Sequence, residues 1–123
     1  MKKHLIIALM AILPVACSGS DEPAVTLDPA AVAAGQKVFA ANACSACHGE
    51  TGTGDGAAAA ALDPKPRNYS DAKWQSETSD ESLKKVITEG GAAHGMSAAM
   101  IAYPKIKGDD LNNLITFIRS LKK

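Results

Sequence analysis

Aromatic residues are scarce in this 123-residue chain: one Trp, two Tyr and two Phe, 4% in all. A chain of this length makes one domain at most, and so little bulky material gives it a thin core. Small domains in that position are completed by a metal, a disulfide or a cofactor. Net charge is also missing, 13 basic residues balancing 13 acidic ones, so there is no electrostatic ground for a nucleic-acid partner. No internal repeat is present. No segment alternates apolar and polar residues with the period of two that marks a half-buried strand. No apolar run reaches the ~20 residues that a membrane-spanning helix needs. Cysteine is sparse and odd in number, three in all.

What is there begins with "MKKHLIIALMAILPVAC". Lys2 and Lys3, the apolar run Leu5–Leu13 and the small residues before Cys17 have the layout of a secretory signal peptide over residues 1–16. "LPVAC" resembles the lipobox of bacterial lipoproteins, which implies a lipidated Cys17 as the mature N-terminus and a membrane anchor through it. An ordinary cleavage after Ser18 is the alternative. "SGSDEP" cannot build a core and reads as a flexible tether within residues 17–27. The folded domain is then 28–123. An odd cysteine in an exported protein needs an explanation. If Cys17 carries lipid, Cys44 and Cys47 remain as a pair with one shared task.

Three segments have helical periodicity, so the fold class is all-α. The first, "LDPAAVAAGQKVFAANA", has Asp28 as N-cap and Pro29 at the first helical position. Val32, Gly35 and Phe39 share a face. A glycine inside a helix costs about 1 kcal/mol relative to Ala, so Gly35 implies a close neighbour. In the second, "TSDESLKKVITEGG", Thr78 and Glu81 are spaced as a capping box. Leu83, Val86 and Ile87 form the apolar stripe, and Gly90 and Gly91 end it. The third, "DDLNNLITFIRSLKK", has Asp109 and Asp110 at its start, Arg119, Lys122 and Lys123 at its end, and Leu111, Leu114, Ile115, Ile118 and Leu121 along one side. Between the first two runs "HGETGTGDGAAAAALDPKPRNYSDAKWQSE". A compact domain seldom carries so long a loop without a task for it, and wrapping a cofactor is such a task. Ala57–Ala61 is expected to form a helical turn and "SDAKW" another, capped by Ser70.

"CSACH" holds Cys44, Cys47 and His48 together. A redox CxxC would follow a strand in a βαβ unit, but this one closes a helix. A zinc site needs four tetrahedral ligands; only His4 and His94 could add to the trio, and adjacent Cys47 and His48 do not easily turn to one ion. A disulfide between 44 and 47 closes too small a loop to constrain much chain entropy and leaves His48 idle. Covalent c-type haem attachment uses all three residues. The two thiols add to the haem vinyl groups as thioethers, and His48 becomes an axial ligand of the iron. The implied cofactor is one covalent haem c. Export agrees, because bacteria carry out this attachment outside the cytoplasm.

From Asp28 to Lys123 the chain resembles a class I cytochrome c. The resemblance rests on Gly35 and Phe39, "CSACHG", "GTGDG", "PKPRNY", "EGG", Met100 and the last helix ending "FIRSL". It implies three main helices and a long loop wrapped around a covalently bound haem. It also implies a crossing of the first and last helices, with Gly35 and Phe39 meeting Leu114, Phe117 and Ile118.

Relatives of this kind supply a methionine to the sixth position of the iron from a loop before the last helix. "EGGAAHGMSAAMIAYPKI" offers His94, Met96 and Met100. The family frame Ser-x-x-Met-x-x-aromatic fits Ser97, Met100 and Tyr103, which makes Met100 the expected ligand, with Met96 and His94 as alternatives. A proline carbonyl, from Pro64 or Pro66, is implied as the acceptor for the non-ligating nitrogen of His48. Arg67, Tyr69 and Trp74 are candidates to bond or pack against the haem propionates.

A six-coordinate iron leaves no position for substrate, so the expected function is one-electron transfer between a periplasmic redox donor and acceptor, not catalysis. Two alternatives stay open: a dedicated cytochrome subunit of a dehydrogenase or reductase, and a haem-based binder or sensor of a small ligand.

Overall fold

The computed structural model describes residues 26–123. The signal peptide expected over 1–16, the Cys17 anchor site and most of the 17–27 tether lie outside the described residues. Among the described residues every regular element is helical, and no helix is long and apolar enough to cross a membrane.

Helix α1 spans Pro29–Ala41, and the Asp28 carboxylate accepts from the Ala30 N–H at 3.0 Å. Helix α5, Gly108–Ser120, carries Asp109 and Asp110 in its first turn and Arg119 in its last. The two cross at Gly35. A Cβ there would run into the Asn113 carbonyl and stand 2.7 Å from Phe117 Cβ. The missing side chain therefore lets the Gly35 backbone approach the α5 backbone itself, and the glycine cost read from the sequence has its cause. One turn on, the Phe39 and Phe117 rings pack with centroids 5.3 Å apart at 58°, a tilted arrangement that aromatic quadrupoles favour. Leu114 and Ile118 beside them are 1% and 2% exposed, the most deeply buried large side chains.

Helix α4 spans Asp80–Glu89 and buries Leu83 and Ile87. Its cap differs from the expected Thr78 box. Ser79 is the N-cap, accepting from the Ser82 N–H at 3.2 Å, because Thr78 belongs to the preceding turn, its N–H donating to the Trp74 carbonyl at 3.0 Å. That turn ends α3, Ala72–Glu77, capped by Asp71 and not by Ser70. The one-turn helix α2, Ser45–His48, completes the set. Short 3₁₀ turns occupy Ala57–Ala61 and Gly91–His94.

A polar cluster locks α3 and α4 to the end of α5. Gln75, buried, donates from Nε2 to the carbonyls of Tyr69 at 2.7 Å and Ile118 at 2.8 Å. Arg119 donates to Gln75 Oε1 at 2.7 Å, to the Gln75 carbonyl at 2.8 Å, to the Thr78 carbonyl, and to Asp80 Oδ1 at 2.8 Å. Buried polar groups are tolerable when each is paired, and here each is: no buried side-chain nitrogen or oxygen among the described residues lacks a partner.

Candidate functional site

After α1 the chain reverses at Ala43, whose φ of +53° lies in the left-handed region. The turn returns Cys44 to the end of α1, its N–H donating to the Phe39 carbonyl at 3.1 Å. The single turn of α2 then sets the side chains. Spacing of three puts Cys44 and Cys47 on one helical side, and the His48 N–H donates to the Cys44 carbonyl at 2.9 Å. From above, the N–H groups of Gly54 and Gly56 donate to the carbonyls of His48 at 2.8 Å and Cys47 at 3.1 Å. The glycine-rich loop thus serves to tie down the attachment turn.

Cys44, Cys47 and His48 all line one cleft of about 800 Å³, within the range of cofactor sites. Its walls come from every part of the fold: Phe39 of α1, Leu83 and Ile87 of α4, Leu114 and Ile118 of α5. These are core residues, so the cleft is a gap in the core itself. The aromatic shortage of the sequence is felt here.

His48 is buried. Its Nδ1–H donates to the Arg67 carbonyl at 3.2 Å. The acceptor is therefore Arg67, where a carbonyl of Pro64 or Pro66 was expected; both prolines line the cleft instead. Burial lowers the His48 pKa, partly offset by the Arg67 carbonyl, which favours a neutral imidazole with the lone pair on Nε2. Tyr69, also buried, stacks on the imidazole with centroids 4.5 Å apart and planes at 16°. Its hydroxyl is 3.1 Å from Nε2. With Nδ1–H given to Arg67, Nε2 accepts from the Tyr69 O–H, a bond that ligation through Nε2 would replace. Burial holds the Tyr69 hydroxyl far above its usual range, so it remains a phenol.

The Cys44 and Cys47 sulfurs are unbonded to each other. Among the described residues no three His, Cys, Asp or Glu side chains converge as a metal site. Burial pushes the Cys44 thiol up to about 11, with Cys47 adding and a backbone hydrogen bond opposing.

The three sixth-ligand candidates separate by position. His94 turns away from the cleft lining, its Nε2 3.0 Å from the Glu89 carboxylate. Met96 and Met100 both line the cleft, but Met96 is 45% exposed. Met100 packs against the hydrophobic core. Burial raises the Tyr103 phenol pKa, with Cys44 and Cys47 adding to it, and its N–H donates to the Ile87 carbonyl at 2.8 Å. Gly90, at φ +86° and ψ 157°, takes a backbone conformation nearly confined to glycine and turns the chain from α4 into this loop. Arg67 stands exposed at the cleft and Trp74 packs on Tyr69 with centroids 5.4 Å apart. Sequence reasoning did not foresee the Tyr69–His48 stack or the Arg67 carbonyl, because contacts 21 and 19 residues apart leave no periodic signal.

Residues 32–122 match the family model described as Cytochrome c. No curated protein matches the sequence.

Proposed function

The chain belongs to the cytochrome c family of haem-based electron carriers, with covalently bound haem c as cofactor and the all-α class I fold, and on that premise we propose that it is an exported one-electron carrier with His48 and Met100 as axial ligands. The observation that carries this reading is the convergence of Cys44, Cys47, His48 and Met100 on one cleft that reaches the core side chains of α1, α4 and α5. Cys44 and Cys47 would hold the haem as thioethers. When bound, the haem supplies a one-electron iron couple, and His/Met ligation places it toward higher potential.

The protein's own part is to orient and exclude. The Arg67 carbonyl fixes the tautomer and rotation of His48, and Tyr69 backs its ring. Leu83, Ile87, Leu114 and Ile118 keep water from the site. With His48 and Met100 both holding the iron, no position would be left for substrate, and the chain would serve as a carrier and not itself as an enzyme. Its partners are then a redox donor and acceptor on the far side of the cytoplasmic membrane. Residues 1–16 support export, and Cys17 supports a lipid anchor, by their sequence pattern alone. The mass of the mature N-terminal peptide separates a lipidated Cys17 from cleavage after Ser18.

The ligand assignment is tested by the optical spectrum of protein matured with the cytochrome c machinery. The weak long-wavelength band of methionine-ligated ferric haem should be present and should vanish in Met100→Ala. A band that survives Met100→Ala and vanishes in Met96→Ala reassigns the ligand. Absence of the band in wild type, with carbon monoxide binding to the reduced protein, would favour a small-ligand binder.

A further inference from the structure

Gly91, buried directly after α4, has both backbone polar groups engaged by the segment that carries the two methionines. Its N–H donates to the Met100 carbonyl at 2.8 Å, and its carbonyl accepts from the Met96 N–H at 2.9 Å. The same segment crosses the space a side chain would fill. A Cβ on Gly91 would run into the Ser97 carbonyl and stand 3.1 Å from Met100 Cβ and 3.4 Å from Met96 Cβ. Gly91 is not among the glycines of positive φ, so alanine suits its backbone and only space is at issue. None of these contacts reaches α2 or the loop that holds His48.

We infer that Gly91 is a positioning residue for the Met100 thioether. Its two backbone bonds and its absent side chain seat the ligand-bearing segment at the depth where Met100 stays on the iron. This rests on the reading of Met100 as axial ligand. A methyl group at 91 has to push the Ser97–Met100 turn outward, because the obstacle includes backbone and not only a flexible side-chain end. The methionine side of the iron weakens while the attachment turn and His48 are untouched.

The test uses matured ferric protein with Gly91→Ala, and Gly108→Ala as control. Gly108 lies outside the cleft lining at φ +57° with nothing within 4 Å of its Cβ position, so it adds backbone strain without collision. Free imidazole competes with methionine for the iron and reports its hold. Overpacking at a tight site is expected to raise imidazole affinity at least about tenfold in Gly91→Ala, with the long-wavelength band diminished and the haem still covalently attached. Gly108→Ala should stay near wild type. Wild-type imidazole affinity in Gly91→Ala overturns the inference, and so does an equal rise in both variants. If Gly91→Ala fails to mature, amide exchange in the wild-type holoprotein decides. Protection of the Gly91 and Met96 amides should fall at least about tenfold when imidazole saturates the iron, a loss of the order expected for one broken local seat; unchanged protection overturns the inference. Failure of the Met100 reading shows separately, as a wild-type protein without the band or a band that survives Met100→Ala.

Discussion

Phe117 Cβ stands 2.7 Å from where a Cβ on Gly35 would be, so the crossing of α1 and α5 has no room for even one methyl group. Two effects of Gly35→Ala oppose each other. Alanine removes a helix-propensity cost of about 1 kcal/mol, and the collision with Phe117 and the Asn113 carbonyl adds an overpacking cost of about 1–3 kcal/mol or more. Because backbone is part of the obstacle, the collision wins. The denaturant midpoint of Gly35→Ala holoprotein should fall at unchanged slope; a midpoint at or above wild type contradicts this.

Arg119 and Asp80 form an ion pair at 2.8 Å, but the two side chains are 19% and 60% exposed. Asp80→Ala removes only the exposed arm, at a cost of about 0–1 kcal/mol. Arg119→Ala also strips the donors from Gln75 Oε1 and the Thr78 carbonyl, at a cost of about 1–3 kcal/mol. Thermal unfolding of the two variants should rank them in that order. Equal loss would mean that the ion pair, not the buried amide cluster, is what matters.

Tyr69 backs His48 by its ring. Tyr69→Phe keeps that ring and should mature with haem attached and the long-wavelength band intact. Tyr69→Ala leaves a hole behind the imidazole and should destabilise the holoprotein by about 3–5 kcal/mol, as for other large aromatic truncations. Denaturation followed at the haem absorbance compares them. A Tyr69→Ala protein as stable as Tyr69→Phe would remove the role given to the ring.

Leu83, Ile87, Leu114 and Ile118 line the cleft as well as the core, so the haem completes that core. A Cys44→Ala/Cys47→Ala chain, deprived of covalent attachment, should lose much of its helical circular dichroism and its cooperative unfolding. Native-like cooperative melting in the colourless chain would show that the polypeptide core suffices alone.

Much of this was legible in the sequence because it is local. Asp28 and Pro29 announced α1, Leu83 and Ile87 gave the buried stripe of α4, and CSACH holds its chemistry in five consecutive residues. Gly35 was readable as a close approach because a helical glycine is costly, and its partners on α5 followed from the family resemblance. The cap of α4 was misplaced by one residue, since Thr78 and Ser79 can both cap a helix and the end of α3 takes Thr78. The His48 acceptor was assigned to proline, but any backbone carbonyl can accept, and the loop's path alone selects Arg67. Gly91 read as a helix terminator; its contact with Met100 depends on how the next ten residues fold back.

The most direct measurement is a spectroelectrochemical titration of the matured protein, followed through the haem bands and the long-wavelength band together. Expected is a single reversible one-electron transition, in the upper part of the haem range that His/Met ligation favours, with the methionine-sensitive band lost and regained in step with the iron. A matured protein without covalent haem, or a reduced form that binds carbon monoxide without denaturation, would contradict a six-coordinate electron carrier built on Cys44, Cys47, His48 and Met100.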